Sequence, residues 1–385
     1  MRAALISMAG QPRDSAGTAL LAVAGKTLAR RQLDFALAAG CERVIVLGHG
    51  GSAEAIALAH AAEDAGAGFQ AIGDTRGLPG AVRSSDELLV FAPGLLAEAS
   101  EALPGLSHGS AVLVLPAGAG VSAGFERIDL DRAWAGAAVV PGALVERLSE
   151  LPPDIEPASA LMRAALQARV PEHRLSETPL AEGRWSMLGP GADPVAGERA
   201  WFRRHSAALK AVPDPLGPFV VRSVSRLLAA PRSVAVLAGA AAVILAGAVV
   251  AASFGPPALG FALIALAVLL AACANELGRL RAAPFGQRRP LTGVVLAWLI
   301  DLAIVACAVA AIEGDALHRL FPPLVLLGAM HIPGSPAVPL VVRNRALLAA
   351  ILALAAGFGA AESAIMLAAL GLLALKAVKT GAKRG

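Results

Sequence analysis

Two hydrophobic patterns divide the chain near Arg232. Up to about residue 205, short apolar runs alternate with mixed stretches, and charges are scattered throughout. The runs Ala3–Met8, Arg43–Gly48, Gly68–Ile72, Glu87–Phe91 and Ala111–Pro116 predict strands. Thr27–Ala39, Ala53–Ala65 and Leu95–Leu103 predict helices. Strands alternating with helices predict a mostly parallel, three-layer α/β sheet. Such sheets bind ligands outside the carboxyl ends of their strands, which here means Ser7–Gly17.

After Arg232 the pattern becomes continuously apolar. Ser233–Phe254 has no charged residue and is long enough to cross a bilayer. Ala258–Ala274 is a second expected span, ending at Asn275 and Glu276. Thr292–Ile312 is a third, broken only by Asp301. Leu320–Ile332, Arg345–Gly359 and Ser363–Val378 make a fourth, fifth and sixth, the fourth with a proline pair near its start. Arginines set the orientation. Arg279, Arg281, Arg288 and Arg289 fall between spans two and three, and Arg343 and Arg345 between four and five. Lys376, Lys379, Lys383 and Arg384 mark the tail. The opposite loops carry only Arg319 as a fixed positive charge. This alternation predicts a multi-pass protein of the inner, cytoplasmic membrane with both termini cytoplasmic.

Composition agrees with this division. The apolar fraction is 56%, above that of ordinary soluble chains. The net charge of +4 is mostly topological, so nucleic acid is not expected as a partner. No signal-peptide pattern opens the sequence, because Met1-Arg2 leads straight into a strand-like run. Cys41, Cys273 and Cys307 lack metal or redox spacing and read as apolar filler. Between the halves, 206–232 reads as a linker ending in an amphipathic segment, GPFVVRSVSRLLAA. Its Phe219, Val220, Val221, Val224, Leu227 and Leu228 share one helical side, with Arg222 and Arg226 opposite. That pattern predicts a helix in the headgroup plane rather than one packed on the soluble half.

The opening MRAALISMAGQPRDSAGTALLAVAGKTLARRQLDFALAAGCERVIVLG resembles the sugar-phosphate and alcohol-phosphate nucleotidyltransferases. In that family a strand enters a Gly-rich loop, A-A-G-x-G-x-R, followed by P-K, an L-x-V-x-G-K-x-L segment, a helix and a further strand. The matching pieces are MAG at Met8–Gly10, LAVAGKTL at Leu21–Leu28 and AAGCERVIVLG at Ala38–Gly48. GFERIDLDRAWAGAAVVPGALVERL, from Gly124 to Leu148, is similar to a later part of such a domain. The resemblance covers nearly all of 1–205. It implies nucleotide contacts at Gly10, Arg13 and Lys26, with Mg²⁺ and CTP as cofactors of an active enzyme. The chemistry positions depart. Pro12 replaces the second loop glycine and has no N–H to offer a phosphate. Asp14 stands for the loop arginine, unless Arg13 substitutes from one place earlier. Thr18 stands for the P-K lysine, and Pro93 lies where the metal-binding aspartate belongs. Pyrophosphate displacement needs cations to offset developing charge.

The membrane half, 233–385, resembles the CDP-alcohol phosphotransferases. Their motif, D-x2-D-G-x2-A-R-x8-G-x3-D-x3-D, crosses the end of span two and the start of span three. It implies carboxylates that hold divalent metals on a CDP-alcohol, one of them acting as base on the incoming hydroxyl. AACANELGRLRAAPFGQRRPLTGVVLAWLID, from Ala271 to Asp301, occupies that place. Arg279 matches, and Gly293 and Asp301 match if the loop is longer. Ala271, Ala274 and Ala297 stand where three of the aspartates belong, and Asn275 where a glycine does. Asp301 is therefore the one catalytic candidate, and Glu276 and Asp301 are the metal candidates. Arg279 and Arg281 are candidates for phosphate or lipid headgroups, or are positive-inside anchors. As an ionisable group inside a span, Asp301 is expected to be protonated or paired with an arginine of the cytoplasmic side.

The expected architecture is thus an α/β three-layer nucleotidyltransferase-like domain followed by an all-α six-helix transmembrane domain. The order resembles bifunctional enzymes that make a CDP-alcohol in one domain and consume it in the next. The losses in both halves favour a non-catalytic membrane protein. Its expected ligands are membrane lipids and a nucleotide, with a homodimer or a partner enzyme of phospholipid or sphingolipid metabolism as its company. The alternatives are a surviving transferase with a reduced, shifted metal site and a transporter built on Asp301.

Overall fold

The computed structural model describes residues 1–8, 18–48, 50–107, 109–150, 155–189, 194–206, 217–230, 232–285, 291–331 and 344–381. The chain forms two compact units. The first is Met1–Ala229 with Ala282–Gln287, and the second is Ala230–Arg281 with Arg288–Gly385.

The first unit is built on β1 (Arg2–Ser7), β2 (Ala22–Val23), β3 (Lys26–Thr27), β4 (Arg43–Leu47), β5 (Gly68–Ile72), β6 (Glu87–Phe91), β7 (Leu95–Ala97), β8 (Ala111–Pro116), β9 (Arg132–Pro141), β10 (Glu172–Arg174) and β11 (Trp185–Met187). Its helices are α1 (Leu28–Ala38), α2 (Ala53–Asp64), α3 (Leu78–Ala81), α4 (Leu103–Ser107), α5 (Ala117–Ser122), α6 (Pro157–Gln167), α7 (Thr178–Ala181), α8 (Pro194–His205) and α9 (Gly217–Ala229). Seven strands make one sheet in the order β10-β8-β9-β6-β1-β4-β5. All pairs are parallel except those of β9, which runs antiparallel to both β6 and β8. Successive strand residues point to opposite faces, and Ala3 to Ser7 are all buried. Both faces of the sheet are therefore covered, as the unbroken apolar strands require. The core centres on Phe35, which meets Phe91, Trp185 and Phe285 edge-to-face at 5.5–5.8 Å.

One expectation changes here. The helix expected over Leu95–Leu103 is instead β7, a 3-10 turn at Ser100–Ala102 and α4. β7 pairs antiparallel with β11, a partner 90 residues downstream that local pattern cannot reveal. The connector helix α9 belongs to the first unit, and at its C-terminal end Leu228 is buried against the β2–β3 turn. Ala24 and Gly25 at that turn both have positive φ, +51° and +74°, as two-residue hairpin turns require. A Cβ on Gly25 would lie 2.8 Å from the Leu228 Cβ, so the bare glycine is what lets α9 approach.

The second unit is helical: α10 (Ser233–Phe254), α11 (Pro257–Ala282), α12 (Leu291–Ala311), α13 (Ala316–His331), α14 (Arg345–Gly357) and α15 (Ala361–Gly381). Among the described residues, three stretches are long and apolar enough to cross a membrane: Ser233–Phe254, Pro257–Ala282 and Gly293–Ala311, with mean hydropathy 2.6, 2.4 and 2.6. At 16 and 13 residues, α13 and α14 rise only about 24 and 20 Å, short of a hydrocarbon core of about 30 Å. Six full spans are thus not what the described helices show. The outer surface is apolar where a water-soluble bundle would be charged. Val236, Val243 and Val250 stand outward at seven-residue spacing, while Ala241, Leu245 and Ala248 turn inward. Small residues let the helices close up. A Cβ on Gly260 would meet the Ala252 Cβ at 2.7 Å and the Cys307 Sγ at 3.2 Å.

Candidate functional site

Of the first unit's candidates, Lys26 lies on the β2–β3 hairpin. β1 delivers the chain at Met8, and Gly10 and Arg13, with Pro12 and Asp14, lie outside the described residues. Thr18 opens a 3-10 turn and is half-buried. Lys26 is on β3, where its Nζ meets Asp34 Oδ2 at 2.5 Å. Burial draws the Lys26 ammonium below its ordinary value, against the opposing pull of Asp34. Lys26 is thus engaged as half of an ion pair rather than held out to a phosphate. At the end of β6, Pro93 stands with Ala92, whose carbonyl accepts from Gln32 Nε2, and Gly94 at φ +82°. A Cβ on Gly94 would lie 2.3 Å from the Leu188 carbonyl, so the chain here is packed against β11.

Under the hairpin lies a charged cluster for which sequence gave no signal. Arg31 on α1 is 2% exposed. Its Nε and Nη2 donate to the Val23 carbonyl at 3.2 and 2.6 Å, and its Nη1 donates to Glu98 Oε1 at 2.9 Å. Arg204 on α8 reaches the other Glu98 oxygen at 3.5 Å. The Trp201 ring lies 4.8 Å from the Arg31 guanidinium carbon, and His205 stacks on the same ring at 4.2 Å. The Ala24 N–H donates to Glu198 Oε1 at 3.0 Å. Residues 198, 201, 204 and 205 recur at helical spacing, which aims one face of α8 at the hairpin. Burial pulls Arg31 down more than Glu98 and Asp34 raise it, and Arg204 pulls it down further. Burial also lowers His205, so this imidazole is neutral at pH 7.

In the second unit the centre is Asp301, on α12 and 1% exposed. Arg345, at the start of α14, grips both oxygens: Nε to Oδ1 at 2.6 Å and Nη2 to Oδ2 at 2.8 Å. His331, at the end of α13, brings Nε2 to 3.4 Å from Oδ2, and Trp298 stacks on its ring at 4.7 Å. The arginine expected for Asp301 is thus Arg345, bound in the two-pronged geometry that makes such pairs strong. Ala271 and Ala274 are buried in the helical core. Asn275 abuts Gly293, eight residues and so about 12 Å along α12 from Asp301. Glu276, next to Asn275, pairs instead with Arg279 at 3.0 Å. The structure therefore does not bring Glu276 and Asp301 together. Arg279 is 73% exposed. Arg281 donates to Ser233 Oγ at 2.9 Å and to the Ala230 carbonyl, tying the end of α11 to the start of α10.

A divalent metal fits this arrangement poorly. Such ions take about six oxygen ligands. Asp301 offers one carboxylate, and both its oxygens already accept from a cation. Among the described residues no group of three or more His, Cys, Asp or Glu is placed to hold a metal.

No family model matches the chain, and no curated protein matches it. Among solved structures, it is similar to a Bacillus anthracis protein described as a glucose-1-phosphate thymidylyltransferase, solved in complex with sucrose. The identity is 10% and the TM-score 0.37, covering 46% of this chain and 87% of that one.

Proposed function

We propose that this is a membrane protein whose two halves descend from a nucleotidyltransferase and a CDP-alcohol phosphotransferase and that neither half retains the chemistry. In this reading it binds rather than transfers, with a nucleotide, a lipid headgroup or an enzyme of phospholipid or sphingolipid metabolism as its ligand. The observation that carries the reading is Asp301. The one carboxylate left at the phosphotransferase motif is occupied by Arg345, and the alanines at 271 and 274 are packed into the core. A carboxylate held that way is poorly placed to bind metal or to take a proton from an alcohol. The exposed guanidinium of Arg279 is the group best placed for a lipid phosphate.

The experiment is CMP release by the full-length protein in lipid, with Mg²⁺ or Mn²⁺ and a panel of CDP-alcohols. None is expected, and Asp301→Asn should alter stability alone. CMP formation abolished by that substitution would restore the second reading, a transferase with a reduced metal site. That reading draws on Gly293 and Asp301 standing at motif positions.

A further inference from the structure

The charge cluster beneath the β2–β3 hairpin is not used by the proposed function, and its hydrogen-bond inventory does not close. Trp201 is fully buried, and among the described residues its Nε1–H has no acceptor. The same holds for Nε of Arg204, three residues along the same helix. Buried donors nearly always find an acceptor, and leaving one unmet is costly. Arg31 and Arg204 share Glu98, both of whose oxygens are engaged. Glu198 accepts from the Ala24 amide, and Asp34 is held by Lys26 and Arg30. A small oxyanion accepts at several oxygens and so meets both open donors at once, one of them on a charged guanidinium.

We propose that Arg31, Arg204 and the indole N–H of Trp201 form a buried oxyanion site between α1 and α8, taking inorganic phosphate, sulfate or the phosphate of a small phosphomonoester. The anion accepts from Trp201 Nε1 and, in a charge-assisted bond, from Arg204 Nε. It thereby fastens α8 over the hairpin.

The test uses full-length protein in detergent. Thermal unfolding is followed with increasing phosphate or sulfate, against potassium chloride at matched ionic strength. Saturable stabilisation by the oxyanions alone is expected. Trp201→Phe keeps the ring and removes the donor. Arg204→Lys keeps the charge and removes Nε–H. Each should weaken the apparent Kd about tenfold or more, as expected for a lost charge-assisted hydrogen bond. Equilibrium dialysis of labelled phosphate against the wild-type protein gives a second readout should a variant fail to fold, with one equivalent bound expected. Displacement by glycerol 3-phosphate would make a phosphomonoester the ligand. Displacement by sulfate alone would make it a free oxyanion. No saturable stabilisation, no bound equivalent, or binding indifferent to both substitutions would each overturn the site. The nucleotide reading does not use Trp201 or Arg204, so either proposal can fail alone.

Discussion

A carboxylate in the middle of an apolar helix must be paired or lose its charge, and Asp301 is paired. Removing one partner leaves the other charge stranded, which costs more than the pair is worth. Asp301→Asn is therefore expected to destabilise the helical unit by about 1–3 kcal/mol, since the Arg345 left behind is one-third exposed, read as a fall in its thermal midpoint in detergent. Adding Arg345→Gln should recover part of the loss; a double variant as damaged as the sum of the singles would mean that the two side chains do not interact. A second residue-scale prediction concerns Asp86. The Arg83 amide donates to its carboxylate, and the N-terminal ammonium and Arg43 lie beside it. Together these hold its pKa below the ordinary 3.8. A depressed carboxylate stabilises the fold above its unfolded value and loses that contribution as pH falls through the folded one. The stability gap between wild type and Asp86→Asn should thus be full at pH 7 and shrink below pH 3.8. A gap that widens on acidification would contradict the assignment.

At the scale of elements, the β2–β3 turn and α9 depend on one another. Gly25 needs positive φ, which costs a side-chain-bearing residue roughly 1–2 kcal/mol, and its missing Cβ is where Leu228 sits. Gly25→Ala should destabilise the first unit through both terms. The obstruction is the Leu228 Cβ at 2.8 Å and the Leu228–Ala229 backbone at 2.9–3.0 Å, which Leu228→Ala retains, so trimming Leu228 should not rescue Gly25→Ala. A Gly25→Ala variant that loses no more than the positive-φ cost in denaturant titrations would mean that α9 lies elsewhere, as on a lipid surface. β9 shows why some elements escape sequence reading. RAWAGAAVVP is rich in Ala and Gly, both poor strand formers, and is made a strand by antiparallel pairing on both sides. The predicted strands were legible because a strand buried on both faces is a bounded apolar run.

For the whole molecule, the arginine distribution along the sequence predicts six membrane passages with both ends cytoplasmic. The described helices supply three stretches of spanning length. Reporter fusions at Gly255, Asp315 and Ala361 should read outside the cytoplasm, and fusions at Pro284 and Gly385 inside. A Gly385 fusion reading outside would overturn the even number of passages and leave α13 and α14 as re-entrant segments.

What the sequence alone determined is what depends on local pattern. The switch from interrupted to continuous apolar character placed the join between the two halves, five sheet strands and the three long spans. Thr18, Pro93, Ala271 and Ala274 were visible as residues that bring neither a carboxylate nor an ammonium. Only the tertiary structure decided which side chains meet. Asp301 and Arg345 are 44 residues apart, and Arg31 and Glu98 are 67 apart. No periodicity relates residues so distant. Their pairing follows from how helices and strands pack, where desolvation makes a buried charge select its partner by geometry rather than by sequence distance.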